Sequence, residues 1–157
     1  MPRRPYKKRI IPPDPVYNSF IVAKLINYVM VDGKKTVAKK IVYSVLEKIK
    51  KQGLDPLVVL DEAIKNTAPE YEIRPRRLGG ASYMVPFEIR KERKLFLALN
   101  WIIEAAKNRL NKQYHTFVDK LYAEILDASQ NLGQAVVRKQ QVERLAEANK
   151  AFAHLRW

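Results

Sequence analysis

The chain of 157 residues contains no cysteine, so disulfide bonds, thiolate metal sites and cysteine nucleophiles are all excluded. It has only five glycines, at positions 33, 53, 79, 80 and 133. Each falls where a helix is expected to end or a hairpin to turn. None is left for a glycine-rich loop that cradles phosphates. No apolar run approaches the roughly 18 residues of a membrane-spanning helix, so no membrane partner is expected.

Acidic residues are scarce beside basic ones. Thirty Lys and Arg face sixteen Asp and Glu, which gives a net charge of +14. Such a charge repels itself in a compact fold, and a polyanionic partner relieves the repulsion. Nucleic acids do so with release of condensed counterions. Because 47% of the residues are hydrophobic, the chain can also bury a core, which indicates a folded nucleic-acid-binding protein rather than a disordered basic tail.

Residues suited to catalysis or metal binding are few. His115 and His154 have no second ligand at helical distance, so we interpret both as surface or capping residues. Asp61 and Glu62 open a helix, where acids are electrostatically favoured. No isolated carboxylate pair stands in an apolar stretch that would raise its pKa. We therefore expect neither an enzyme nor a cofactor.

The residue pattern predicts a single domain, residues 1–157, of mainly α class. Residues 1–15 are basic and rich in proline and are predicted to form an extended arm. Apolar residues at helical spacing predict three helices over residues 16–69 and three more over residues 91–157. The expected fold is a six-helix, bundle-like body with one protruding β-hairpin arm between the third and fourth helices.

Glycines and apolar stripes predict where the helices end. The first helix is expected to end at Gly33 and the fifth at Gly133, because glycine readily takes the left-handed conformation that closes a helix. The stripe of the fourth helix extends to Leu110. The sixth helix is expected to span about residues 134–153, with Leu145 among its buried residues.

Residues 70–90 alternate with period two around Gly79-Gly80, which predicts a β-hairpin. Pro75 and Pro86 restrict both arms to edge strands. A lone two-stranded ribbon is barely stable in water, so its base is expected to pack on the helices while its tip projects.

Basic residues accompany both hairpin arms, with Arg76 and Arg77 before the turn and Arg90 after it. The planar guanidinium group binds phosphate with two hydrogen bonds, which favours RNA contact over a merely solvated charge run. The hairpin aromatics, Tyr83 among them, are more simply explained by packing on the helices.

A further basic pair, Lys34-Lys35, follows the first helix. The pair either compensates the dipole at the carboxyl end of that helix or contacts phosphate, and the sequence favours neither interpretation.

Six segments together resemble a known family. They are PRR at residues 2–4, DP at 14–15, MVDGKK at 30–35, RRLGGASYMVPFEIR at 76–90, WIIEAA at 101–106 and AEANKAFAHLRW at 146–157. On these motifs the chain resembles, from end to end, the small-subunit ribosomal protein S-seven family in its bacterial or organellar form.

The resemblance implies a structural constituent of a cytoplasmic or organellar ribosome. Such a protein binds the 3′ major domain of small-subunit rRNA, nucleates assembly of the head and lies near the exit-site tRNA and the mRNA exit path. Neighbouring head and platform proteins are its further partners. The implied rRNA-binding residues are Arg3, Arg4, Lys7, Lys8, Lys34, Lys35, Arg76, Arg77, Arg90 and Lys91. The implied neighbours of tRNA and mRNA are Gly79, Gly80, Tyr83, Arg138 and Lys139.

Two other functions were weighed. A DNA-bending architectural protein also combines helices with basic β-arms, but its arm carries a proline wedge at the tip. Here the tip is Gly79-Gly80 and the prolines lie along the arms. An RNA-modifying enzyme needs a cofactor loop or an acid–base group of residues, and the sequence offers neither.

The composition and the resemblance predict that the protein prefers folded 3′-domain rRNA to duplex DNA of equal length. Salt-titrated filter binding measures both affinities. The logarithm of the rRNA binding constant should fall with the logarithm of salt concentration with a slope of about −5 or steeper, because several phosphates are neutralised. Equal affinities at physiological salt contradict the prediction.

Overall fold

The computed structural model describes residues 11–155, and it confirms the mainly α fold with one hairpin between the third and fourth helices. The predicted arm falls largely on residues 1–10, outside the described part. The elements in chain order are α1 (Phe20–Val29), α2 (Lys35–Lys51), α3 (Pro56–Thr67), β1 (Tyr71–Leu78), β2 (Ala81–Glu88), α4 (Lys91–Asn108), α5 (Phe117–Ser129), α6 (Gln134–Ala148) and a 3₁₀ helix (Lys150–Leu155).

Helix α5 is the centre of the helical body, because it packs against α2, α3 and α4. Its inward residues Leu121, Ile125 and Ala128 are fully buried, as their helical spacing requires. An ion pair between Lys48 and Asp119 joins α2 to the start of α5. Among the described residues, none of the helices has both the length and the apolar composition to cross a membrane.

A fully buried carboxylate, Glu124, connects the last three α-helices. Its Oε2 accepts a hydrogen bond of 2.7 Å from Nε of Arg109, which caps the end of α4. Its Oε1 accepts one of 3.1 Å from the backbone N–H of Ala135 in the first turn of α6. Arg109 also pairs with Asp127. Burial alone would lower the pKa of Arg109, but the hydrogen bonds to Asp127 and Glu124 outweigh it and raise that pKa.

The end of α5 corrects one sequence prediction. Asn131, with φ +61°, closes the helix, since the N–H of Leu132 bonds to the carbonyl of Asp127 at 2.7 Å in a Schellman arrangement. Gly133 instead precedes α6. A Cβ atom at Gly133 would lie 2.9 Å from Oε1 of Glu124, so the position requires glycine for space as well as for its φ of +90°.

The first helix is also shorter than predicted. Helix α1 ends at Val29, and Met30 is extended. Asp32 and Gly33, both with positive φ, form a tight turn in which the N–H of Lys34 bonds to the carbonyl of Val31 at 3.0 Å. Asp-Gly is a strong signal for such a turn, and it moves the glycine out of the helix.

Two apolar residues that were predicted to be buried are exposed. Leu110 is 65% exposed, because α4 ends at Asn108 and the chain turns away there. Leu145 is 55% exposed on α6, which ends at Ala148 and continues as the 3₁₀ helix rather than reaching residue 153. In both cases an apolar residue extends the helical periodicity without meeting a partner in the fold.

The hairpin pairs β1 with β2 in antiparallel register, from Tyr71 opposite Glu88 to Leu78 opposite Ala81. Gly79 and Gly80 both have positive φ, as the predicted two-residue turn requires. The segment 77–82 is exposed, whereas Val85 and Ile89 near the base are buried. The base packs on α6 and the 3₁₀ helix, so a buried base and an exposed tip are confirmed.

Replacing Gly133 with alanine should destabilise the protein more than replacing Gly53. Both glycines have strongly positive φ, +90° and +81°, but a Cβ at Gly53 meets nothing within 4 Å. Gly53→Ala should therefore cost only the conformational strain, about 1–2 kcal/mol. Gly133→Ala should cost at least about 1 kcal/mol more, because it displaces the buried carboxylate of Glu124. Urea denaturation of both variants measures the difference, and equal losses contradict the role of Glu124.

Candidate nucleic-acid interface

Side-chain oxygens accept hydrogen bonds from backbone N–H groups at the amino-terminal ends of four α-helices. Ser19 accepts from the N–H of Val22 in α1, Asp55 from that of Leu57 in α3 and Thr116 from that of Asp119 in α5. Glu124 does the same for α6. Such caps bind backbone donors that have no partner within the helix.

Helices α2 and α4, among the α-helices described, have no side-chain cap, and both begin with basic residues, although α4 also carries Glu92 in its first turn whereas α2 has no acid there. Lys34 and Lys35 stand at the start of α2, and Arg90 and Lys91 stand at the start of α4. Positive side chains are unfavourable at this end of a helix dipole. Free N–H groups beside cations are the arrangement that binds phosphate at helix amino termini.

This position contradicts the dipole interpretation of Lys34-Lys35, and phosphate contact stays a prediction. Helix α1 ends at Val29, five residues before Lys34. Lys34 directly precedes the first residue of α2. The pair therefore opposes the dipole of α2 instead of compensating that of α1, and the dipole interpretation is wrong.

On the hairpin, Arg74 and Arg76 lie over the ring of Phe87, each with its guanidinium carbon 5.3 Å from the ring centroid. Arg77 follows Arg76 on the strand, so its side chain leaves from the opposite face and is exposed. The two predicted contact residues thus lie on opposite faces of the ribbon. Arg76 is held against the ring of Phe87, and Arg77 extends into solvent.

The start of α4 and the hairpin share a basic hollow of about 440 Å³. Its lining includes Arg74, Arg90 and Arg93, together with Glu72, which pairs with Arg74 and Arg93. Three guanidinium groups stand against two carboxylates, Glu72 and Glu88, so the hollow keeps an excess of one positive charge. Arg74 and Arg93 are not among the contacts that the family resemblance implies, although they lie close to Arg76 and Arg90 in the sequence.

The predicted neighbours of tRNA and mRNA lie in two places. Gly79 and Gly80 are exposed at the tip. Tyr83 packs on Phe152 of the 3₁₀ helix, with ring centroids 5.3 Å apart, which confirms the packing interpretation for this aromatic. Arg138 pairs with Glu104 and lies over the ring of Trp101, and the next residue, Lys139, is half-buried. Contacts within the protein thus hold Arg138.

A second hollow, of about 380 Å³, lies between the hairpin base and α6. Its lining contains Glu70, Glu143 and Glu147 and one cation, Lys150. The excess of carboxylates repels phosphate. The hairpin therefore has a basic side towards α4 and an acidic side towards α6, and only the first suits RNA.

Asp14, near the start of the described residues, is fixed to the helical body. Its buried carboxylate accepts hydrogen bonds of 3.1 Å from the backbone N–H groups of Val16 and Tyr17, and one of 2.7 Å from the hydroxyl of Tyr43 on α2. Burial, with the hydrogen bond to Asp14 second, raises the pKa of Tyr43 to about 12. The predicted arm, residues 1–15, therefore ends before Asp14, which belongs to the body.

The remaining predictions concern the arm residues, the two histidines and metal binding. The four arm candidates lie outside the described residues; they are Arg3, Arg4, Lys7 and Lys8. His115 and His154 are both exposed, as predicted, and the ring of His154 lies 2.9 Å from the carbonyl of Ala151. Within residues 11–155 no group of three or more potential metal ligands comes together.

Comparison with known proteins now supplies the family. The family model "Ribosomal protein S7p/S5e" matches residues 1–150. The chain belongs to this family. Proteins called "Small ribosomal subunit protein uS7" from Caldicellulosiruptor bescii, Caldanaerobacter subterraneus and Dictyoglomus thermophilum are each 54% identical to it over 159 aligned positions. Each alignment covers 100% of this chain and 100% of the relative.

Membership makes this S7p/S5e protein a structural component of the small ribosomal subunit and not an enzyme. The sequence was compatible with a cytoplasmic or an organellar ribosome. The relatives come from bacteria, which indicates the cytoplasmic ribosome. The resemblance inferred from the six motifs is thereby confirmed.

Replacing Lys34 with aspartate should stabilise the free protein while weakening its binding to rRNA. The new carboxylate caps α2 and favours its dipole, which is worth about 1 kcal/mol. The same carboxylate repels phosphate at that helix end. Urea denaturation and filter binding measure the two effects.

Lys112→Asp is the matched control, because it makes the same charge change in the loop after α4, away from a helix start. It should leave the stability nearly unchanged. If it stabilises the protein as much as Lys34→Asp does, the gain comes from lower net charge and not from the end of α2.

Proposed function

We propose that this small-subunit protein binds the 3′ major domain of small-subunit rRNA through two helix starts, the hairpin arms and the amino-terminal arm. The observation that carries the proposal is that the two α-helices without a side-chain cap, α2 and α4, are the two that begin with basic pairs. In the free protein the missing cap is unfavourable at both helices, and the opposed dipole is unfavourable at α2, whose first turn has no acid; at α4, Glu92 offsets part of that cost. A bound phosphate removes both costs.

At each helix start the chemistry is the same. The N–H of Lys35 already bonds to the carbonyl of Gly33 and that of Arg93 to the carbonyl of Arg90, so the other first-turn N–H groups donate to phosphate oxygens. The cations of Lys34-Lys35 or Arg90-Lys91 neutralise the charge. These contacts read the backbone and not the bases, so they fix the protein on the folded RNA without selecting sequence. Specificity then comes from the shape of the RNA that can meet both sites together.

The hairpin would add a third contact on its basic side. Phe87 holds the guanidinium groups of Arg74 and Arg76 in place before RNA arrives, which lowers the entropy lost on binding. Arg77 remains free to reach a phosphate from the other face. Because the major groove of A-form RNA is too narrow for a ribbon, the hairpin would lie in a junction or a shallow groove.

The amino-terminal arm would extend this grip. Its basic residues, Arg3, Arg4, Lys7 and Lys8, precede the buried anchor at Asp14 by 6 to 11 residues. A short tether to a fixed point keeps the arm at high effective concentration near RNA already bound to the body.

The remaining assignments follow from the family resemblance. Binding at several places on one rRNA domain would order that domain and so nucleate assembly of the head, to which neighbouring head and platform proteins then bind. The small, exposed tip at Gly79-Gly80 suits close approach to the exit-site tRNA and to outgoing mRNA. Tyr83, Arg138 and Lys139 would support this region from the protein side.

Replacing Arg76 and Arg77 together with alanine should weaken binding to 3′-domain rRNA by about tenfold or more, since two charge-assisted contacts are lost. The slope of log K against log salt should become shallower by about 1.5. Filter binding across a salt series measures both changes, and helical circular dichroism should stay the same because the hairpin lies outside the helical core.

The control is Lys50→Ala with Lys51→Ala, which removes the same charge from the carboxyl end of α2. This pair already compensates a helix dipole, so its loss should change rRNA binding much less. If both double variants bind alike, net charge and not the hairpin determines the affinity. Wild-type binding by the arginine variant contradicts an rRNA contact at the hairpin.

A further inference from the structure

An apolar groove of about 280 Å³ lies beside the candidate phosphate site at the start of α2. It is formed where the α1–α2 turn, the end of α4 and the start of α5 meet, and we call it the valine groove after its two outer walls, Val31 and Val37. Buried Ala38 lies at its floor, and Phe117 closes one side. Its lining is almost entirely apolar.

The two wall residues are unusually accessible. Val31 is 59% exposed and Val37 is 50% exposed, although both border a hollow that continues into the core. Single exposed valines are common on protein surfaces and need no explanation. Two that line the same apolar hollow form a site where a flat or compact apolar group would remove the surface of both from water.

The charges at the groove select the kind of occupant. Among the described residues that line it, the ionised side chains are Lys34 and Lys107, and both are cations. The Val31–Lys34 turn, closed by a hydrogen bond of 3.0 Å, keeps one wall of the groove next to the first lysine of the phosphate site. An occupant that combines an apolar face with a negative charge one short covalent link away therefore fits.

We propose that the valine groove receives one unstacked nucleoside of the rRNA, whose phosphate lies at Lys34-Lys35. A volume of 280 Å³ is slightly below the roughly 300–1,000 Å³ of sites for drug-sized ligands, which suits a single base with its sugar. Proteins commonly bind RNA through bases that have left the stack. The inference rests on the proposed rRNA binding and adds an apolar contact to its ionic ones.

The salt dependence of binding separates this contact from the ionic ones. Val31→Ser with Val37→Ser removes apolar surface but no charge, so the number of released counterions stays the same. The affinity for a 3′-domain rRNA transcript should fall about tenfold at every salt concentration, as expected when one base contact is lost, with an unchanged slope. Lys34→Ala with Lys35→Ala should instead make the slope shallower by about 1.5.

Val58→Ser is the matched control for Val37→Ser. Val37 and Val58 are each the third residue of their helix, and they are 50% and 51% exposed. The two single variants should be equally stable in urea, but only Val37→Ser should bind the transcript more weakly. Equal binding by Val37→Ser and Val58→Ser would overturn the nucleoside site.

The remaining outcomes are distinct. If the double valine variant binds the transcript like wild type at every salt concentration, the groove receives no nucleoside, and an acidic, apolar protein segment becomes its occupant. A changed slope in that variant would also overturn the proposal, since it would mean that the ionic contacts had moved. Failure of the wild-type protein to bind the transcript contradicts the proposed function itself.

Discussion

The carboxylate of Glu124 is the interaction on which the C-terminal half of the fold depends. It binds the end of α4 through Arg109 and the start of α6 through Ala135, from a fully buried position on central helix α5. A buried charge is tolerated only when it is paired and hydrogen-bonded, so the three helices can meet in few other ways. Helix α6 and the 3₁₀ helix then support the hairpin, where Phe152 packs on Tyr83. The position of the hairpin thus follows from a carboxylate in the interior of the helical body.

Several acidic residues serve the interior or internal ion pairs, which leaves basic residues to dominate the interface. Glu124 and Asp14 are buried, Asp119 pairs with Lys48, and Glu72 lies among hairpin arginines. The starts of α2 and α4 carry cations without caps. A protein selected only for its own stability would place capping oxygens there. In the proposed function this loss of stability leaves sites that phosphate completes, as is common where function needs a strained or unsatisfied arrangement.

Local sequence patterns predicted the elements well and their ends less well. The hairpin between residues 70 and 90 was predicted correctly, because alternation and a Gly-Gly turn are properties of neighbouring residues. The predictions that α1 ends at Gly33 and α5 at Gly133 were wrong. Asp32 and Asn131 take left-handed conformations in the turn and in the helix cap, and residue type alone does not predict this. Leu110 and Leu145 continued a periodic stripe, yet they are exposed because no partner lies opposite them. Periodicity identifies a possible buried face, and packing decides how far that face extends.

The sequence alone determined the charge, the order of helices and strands and the family, because these depend on composition, on local spacing and on motifs that can be recognised in one chain. Only the tertiary structure decided what the basic pairs face. It placed Lys34-Lys35 at the start of α2, Arg90 beside Arg74 and Arg93, and the exposed valines around one groove. It also buried Glu124 and Asp14, which the sequence pattern does not distinguish from acids at the surface. These relations join residues far apart in sequence, and no local pattern encodes the distance between them.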